Sequence, residues 1–316
     1  MPSHPPIDPE IAAALAVLDL PPVSLRPQDI PARRAAAVPV DLDWMRRDGT
    51  ITVTERTIPG PPDNPVIPAV ILSPTESAGP APGMFYIHGG GMVLGSRWDV
   101  GEAILDAVTD GYVVVSVEYR LAPEHPYPAA IDDCFAAWLW TAAHTAELGI
   151  DPARLTLAGA SAGGGLAAGT VLLARDRGAP MPRHQILWCP MLDDREITAS
   201  SQELEGEARW DRIANRTGWE AYLGDRRGGD DVPVYAAPSR ATDLSGLPPT
   251  YLEFGDVETF RDECLDYGAR LSRAGVPVEL HLWPGGVHGF TALVPQAAVS
   301  QAAVATRRAY LVRIAR

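Results

Sequence analysis

Leu155-Thr156-Leu157-Ala158-Gly159-Ala160-Ser161-Ala162-Gly163, followed by the apolar run from Leu166 to Ala174, decides how this chain is read. The four residues ending at Ala158 read as a short strand and the run from Leu166 as a helix, which sets Ser161 on a sharp strand-to-helix turn. Such a turn strains the serine backbone and admits only small residues two positions away on either side, and Gly159 and Gly163 supply them. Ser161 is expected to stand above a strand end, where its hydroxyl can meet both a base and a substrate carbonyl. Alone, the pattern is equally an ordinary loop, because glycine and serine are common turn residues.

A second cluster shifts that balance. Met84-Phe85-Tyr86-Ile87 reads as another buried strand, and His88-Gly89-Gly90-Gly91 follows it. Consecutive glycines leave backbone N–H groups unobstructed, as acyl transfer through a tetrahedral oxyanion requires. Gly90, Gly91 and Ala162, the residue after the serine, are the expected donors. His88, at a strand end before a bent loop, is read as a residue that holds the loop. Met92, Leu94 and Trp98 come next and are candidates for lining a pocket, with core packing as the alternative.

For this order of elements the base is expected to be a histidine near the C-terminal end. His288, in Pro284-Gly285-Gly286-Val287-His288-Gly289-Phe290 after the apolar run 278–283, fits best. His281 falls inside that strand and His125 in a proline-rich turn, while His4, His144 and His184 read as surface residues. The acid that orients the imidazole is less clear. The strand Thr250-Tyr251-Leu252-Glu253-Phe254 is followed by Asp256, Glu258, Asp262 and Glu263, and either Asp or Glu can accept the imidazole N–H and stabilise imidazolium. Asp256 lies closer to the strand and Glu258 has the longer reach.

These residues resemble the hormone-sensitive-lipase-like branch of the α/β-hydrolases, which includes bacterial family IV esterases. The likeness rests on the His88–Gly91 run, the segment from Glu118 to Ala130, the Gly159–Gly163 turn, Arg261-Asp262-Glu263 and His288-Gly289-Phe290, in that order. It spans about residues 50 to 316. In that family the acid stands three positions before the Arg-Asp-Glu run, which here is Glu258; Glu replaces the usual Asp, so Asp256 remains the rival. The resemblance implies a mostly parallel eight-stranded sheet with helices on both faces, a helical cap, a serine carboxylesterase acting on small-molecule esters of short to medium chain, and a homodimer through the last strand. Amides, lactones and carbonates are alternative substrates for the same constellation. Non-catalytic ligand-binding relatives lose the histidine, which is present here.

The rest of the chain agrees with an α/β class. With 316 residues, 46% of them hydrophobic, it can bury a sizeable core, and apolar strands alternating with helices argue for a parallel sheet covered on both faces. Residues 1–48 read as a packed-on arm contributing to the cap and 49–316 as the catalytic domain. A charged insertion at about 193–247 completes the cap, its aromatic residues, including the pocket candidates Trp210 and Trp219, packing inward from surface helices. Cys134, Cys189 and Cys264 are odd in number and set among apolar residues, so they read as buried thiols in a reducing compartment. No Cys/His spacing suits a metal and no phosphate-binding glycine loop occurs, so no metal and no cofactor are expected. The net charge of −14 opposes nucleic acid and anionic lipid as partners. The N-terminal apolar stretch from Ile11 to Leu18, flanked by Glu10 and Asp19 and with no basic region before it, is too short to span a bilayer and unlike a signal peptide, and a cytoplasmic location is expected.

Overall fold

The strands predicted from the apolar runs lie side by side, with alternate residues of each strand entering opposite cores. The computed structural model describes residues 4–18, 24–77, 79–206 and 209–316; Asp19 and residues 1–3 of the N-terminal stretch fall outside them. The strands are β1 (Ile51–Ile58), β2 (Ile67–Pro74), β3 (Ala81–Ile87), β4 (Val113–Val117), β5 (Ile150–Ala160), β6 (Gln185–Trp188), β7 (Thr250–Val257) and β8 (Val278–Val287). They form one eight-stranded sheet in the order β1-β2-β4-β3-β5-β6-β7-β8. β2 is antiparallel to β1 and β4, and the remaining pairs are parallel. Every residue of β3 and β4 is buried, which is why these strands read as continuous apolar runs.

On one face Phe85, Ile87, Val115 and Leu157 pack with Trp138 of α5 (Ala129–Ala143), Leu166 of α6 (Ala162–Asp176) and Tyr267 of α9 (Arg261–Arg273). On the other, Met84, Tyr86, Val114 and Ile186 pack with Leu105 of α4 (Gly101–Thr109) and Tyr310 of α11 (Ala298–Ile314). A third, smaller cluster gathers Ile11, Val257, Val287 and Phe290. It docks α1 (Pro9–Leu15) and α10 (Phe290–Leu293) beside the carboxyl ends of β7 and β8. The helices α2 (Ile30–Ala35) and α3 (Leu42–Arg46) complete the N-terminal segment, and α7 (Ser200–Glu203) and α8 (Arg212–Leu223) lie in the 193–247 insertion.

Of the strands that run further than the sequence suggests, two pass through a proline. β5 starts at Ile150 although Asp151-Pro152 follows it, and β8 continues through Pro284-Gly285-Gly286 to Val287. In both, the pairing register shifts, between Ala81 and Gly83 for β5 and between Gly255 and Val257 for β8. An irregularity of this kind tolerates a proline or glycine that a regular ladder would not.

The insertion differs from surface helices in its charges. Trp219 and Tyr222 are fully buried as expected, but so are Asp194 and Asp211, and Glu196 is nearly so. Asp194 pairs with Arg240, Glu196 meets Arg212, Arg216 and Arg227, and Asp211 caps α8 by accepting the Ala214 N–H. Buried charges persist only when paired in this way. Two histidines read as surface residues are not free side chains. His184 is half-buried against Tyr310, and His144 stacks on Trp140 while its Nδ1 lies 2.7 Å from the Trp140 carbonyl. No described helix is long and apolar enough to cross a membrane.

Candidate active site

Ser161 follows the last residue of β5 and precedes the first of α6, with φ 56° and ψ −122°, a conformation that costs a non-glycine residue energy. The crossing is tight. A Cβ on Gly159 would lie 2.1 Å from the Gly163 carbonyl oxygen, and one on Gly163 would lie 2.1 Å from that of Ile87. Backbone holds the turn on three sides, since the Ser161 N–H donates to the Trp188 carbonyl and the Ser161 carbonyl accepts from the Gly165 and Met191 N–H groups.

His288 comes one residue after β8, the edge strand of the sheet, and reaches the serine. Its Nε2 is 3.0 Å from Ser161 Oγ and its Nδ1 is 2.5 Å from Glu258 Oε1. The ring is enclosed, edge-on to Phe260 at 5.4 Å and tilted against Trp210 at 6.3 Å. Burial disfavours the imidazolium, but Cys189 and Glu258 beside it outweigh burial and hold its pKa well above the usual histidine value. Asp256 goes elsewhere: its Oδ1 accepts the Gly285 N–H at 2.6 Å, and it makes no described bond to His288. Of the two carboxylates left open by the sequence, Glu258 reaches the imidazole and Asp256 holds the strand that carries it.

Beside the serine, Gly90 and Gly91 have φ 112° and 62°. Among the described residues, none accepts a hydrogen bond from the Gly90, Gly91 or Ala162 amide, and the Ala162 N–H is the first of α6, where the helix dipole favours negative charge. The loop is fixed from below. His88 is buried, stacks on Tyr119 at 4.2 Å and has Nδ1 2.8 Å from the Gly89 carbonyl, while the Tyr119 hydroxyl donates to the His88 carbonyl. From the N-terminal segment Arg34 donates to the carbonyls of Val93 and Ala122 and pairs with Glu124.

The pocket candidates separate. Trp210 is at the site: a Cβ on Gly91 would lie 2.3 Å from its ring, so this glycine makes room for the indole. Met92 and Trp219 are fully buried in the core below. Leu94 packs against that same core, and Trp98 packs under Arg97 with the core on the opposite face. Two residues named in the sequence take parts that it did not assign them. Glu263 is fully buried and accepts the Leu192 and Asp193 N–H groups, pinning the segment after β6, and burial pushes its carboxyl well above the usual range. Cys189, unlike the buried thiols Cys134 and Cys264, is only partly buried. Its thiol, the imidazole of His288 and the carboxylate of Glu258 have ligand atoms all within 4.8 Å of one another. Spacing along the chain could not reveal this group, because it assembles from three strand ends.

The site thus joins a serine at a strained turn, an imidazole between it and a buried carboxylate, and unused amides alongside, at the carboxyl ends of a mostly parallel sheet. The family described as having the α/β hydrolase fold matches residues 84–292. Esterase LipI of Mycobacterium tuberculosis is 38% identical over 264 residues, covering 77% of this chain and 82% of its own. Carboxylesterase NlhH of the same organism is 39% identical over 244 residues, covering 73% and 74%. Among solved structures, a bacterial heroin esterase superposes with a TM-score of 0.89 at 41% identity over 98% of both chains. The chain belongs to the α/β-hydrolase family, in its hormone-sensitive-lipase-like branch, and is a carboxylic ester hydrolase.

Proposed function

We propose that the protein is a serine carboxylesterase in which Ser161, His288 and Glu258 act as nucleophile, base and orienting acid, and Gly90, Gly91 and Ala162 donate to the oxyanion. The observation that carries this reading is the continuous chain of short hydrogen bonds, Oγ to Nε2 at 3.0 Å and Nδ1 to Oε1 at 2.5 Å. His288 Nε2 takes the Ser161 proton as Oγ attacks the ester carbonyl carbon, and Glu258 steadies the imidazolium. The amide N–H groups receive the charge on the carbonyl oxygen, the leaving alcohol takes the proton from Nε2, and a water repeats the steps to free the acid.

The N-terminal segment and residues 193–247 serve as a cap. Trp210, standing against Gly91 and His288, limits the acyl group, which favours short to medium chains. The test is a series of p-nitrophenyl esters from acetate to palmitate, with fluorophosphonate labelling mapped by mass spectrometry. Labelling at Ser161, loss of turnover in Ser161→Ala and preference for the shorter esters are expected. Turnover that survives Ser161→Ala would overturn the assignment.

A further inference from the structure

Next to the site lies a cavity of about 430 Å³ whose wall includes Cys189, Glu258 and, beside Ser161 and His288 in sequence, Ala160 and Gly289. Its lining carries the carboxylates of Asp99, Glu102, Asp106, Glu253 and Glu258 against one guanidinium, Arg307. Arg307 is committed to Glu253, and Glu102 and Asp106 share Arg47. Such a chamber draws cations in, the more so in a chain of net charge −14. Two groups on its wall adjoin the imidazole. Glu258 Oε2 is buried without a hydrogen-bond partner, and Cys189, beside His288, is only partly buried.

Thiolate, imidazole and carboxylate are the donor set that borderline-soft divalent metals prefer, with bonds of about 2.3 Å to sulfur and 2.0–2.2 Å to nitrogen and oxygen. Those lengths put tetrahedral ligand atoms roughly 3.3–3.6 Å apart. Here the three atoms lie within 4.8 Å of one another, and the His288–Glu258 pair is at 2.5 Å. A metal ion therefore needs the sulfur to close in and the carboxylate to back away, each by about an ångström. The cavity leaves room for a water as fourth ligand.

We infer that Cys189, Glu258 and His288 form a reversible inhibitory site for a soft divalent cation of the Zn²⁺ class. The ion binds Cys189 Sγ, a Glu258 oxygen and His288 Nδ1. Thiol and imidazole together hold two protons before binding and one after it, on Nε2, so one proton is released to solvent in all. With Nε2 protonated, the imidazole cannot accept the Ser161 proton 3.0 Å away. The blocking of turnover rests on the serine-esterase reading above; the capture of the metal does not.

The test separates the two. Cobalt(II) is titrated into metal-free full-length protein and followed by its thiolate charge-transfer absorption, in wild type, Ser161→Ala, Cys189→Ser and Cys189→Ala. The band is expected in wild type and Ser161→Ala and absent in both Cys189 variants, with thermal melts checking that each is folded. In parallel, Zn²⁺ inhibition of p-nitrophenyl acetate hydrolysis is measured, each variant scaled to its own metal-free rate. Wild type should be inhibited and restored by chelator, whereas the Cys189 variants should need at least about tenfold more Zn²⁺. No charge-transfer band in wild type, or equal Zn²⁺ sensitivity in wild type and both Cys189 variants, overturns the site. A Cys189-dependent band with turnover untouched by Zn²⁺ upholds metal capture and counts instead against His288 as the base.

Discussion

Exchanging carboxylate for amide at Glu258 and at Asp256 probes the arrangement most directly, because the two side chains stand two positions apart at the end of β7 and reach different targets. Glu258 is 1% exposed and meets His288 Nδ1 at 2.5 Å, so Glu258→Gln removes the buried charge that stabilises imidazolium. It also lets an amide NH₂ face Nδ1, which selects the wrong tautomer. Losses from such a change reach about 10⁴ in kcat. Here nothing bonds Glu258 Oε2, so the amide can place its NH₂ there and keep its oxygen on Nδ1. The expected loss is therefore roughly 10²–10⁴, or about 3–5 kcal/mol in the barrier. Asp256→Asn keeps an oxygen for the Gly285 N–H and forfeits only charge assistance, about 1 kcal/mol, so its activity should stay within roughly tenfold. The assay is kcat/KM on p-nitrophenyl acetate with a melting curve for each variant. A larger loss in Asp256→Asn than in Glu258→Gln, with both folded, refutes the reasoning.

Four further outcomes are expected. The acid limb of the kcat/KM profile should lie above pH 6.5, because Cys189 and Glu258 hold the His288 pKa up against burial; Cys189→Ala should move it to lower pH, and an unmoved limb would contradict the cause. The same raised pKa stabilises the fold fully below the unfolded value of about 6.5, and that contribution fades as pH rises through the folded one. His184 behaves in the opposite sense: burial lowers its pKa to about 4, so the unfolded chain gains a proton first and stability falls as pH drops from 6.5 towards 4. His184→Gln should flatten that part of the melting-temperature curve, and a curve parallel to wild type would exclude His184 as the source. Arg34→Ala gives up two carbonyl contacts and the Glu124 pair, and should cost about 2–3 kcal/mol of stability, read by denaturant unfolding. Gly163→Ala should abolish fluorophosphonate labelling, since its methyl has only a backbone carbonyl to enter; full labelling would show that the turn can open.

What was legible in the sequence is what repeats locally. Buried parallel strands announce themselves as apolar runs, and a turn that excludes side chains announces itself as glycine, so β3, β5, Ser161 and the His88 loop could be found without coordinates. Strand ends were harder, because Pro152 and Pro284 look like terminators until the register shifts beside them are seen. The contest between Asp256 and Glu258 turned on direction, which composition does not encode. Buried charge escaped for a related reason: Asp194 and Glu196 look like surface residues in a charged segment, and only their arginine partners, 46 and up to 31 positions away, reveal otherwise. Cys189 became visible only once three strand ends met.

The first described helix also ties residues far apart along the chain to one another. The Asp8 N–H donates to the Gly285 carbonyl, Glu10 accepts the Ala298 N–H, and Ile11 is sealed among Val257, Val287 and Phe290. Residues near the start of the chain thus clasp the strand that delivers the histidine, and they cannot do so until that strand has left the ribosome. Loosening these few contacts would therefore be felt first at β8 and at the loop carrying His288, before the sheet interior.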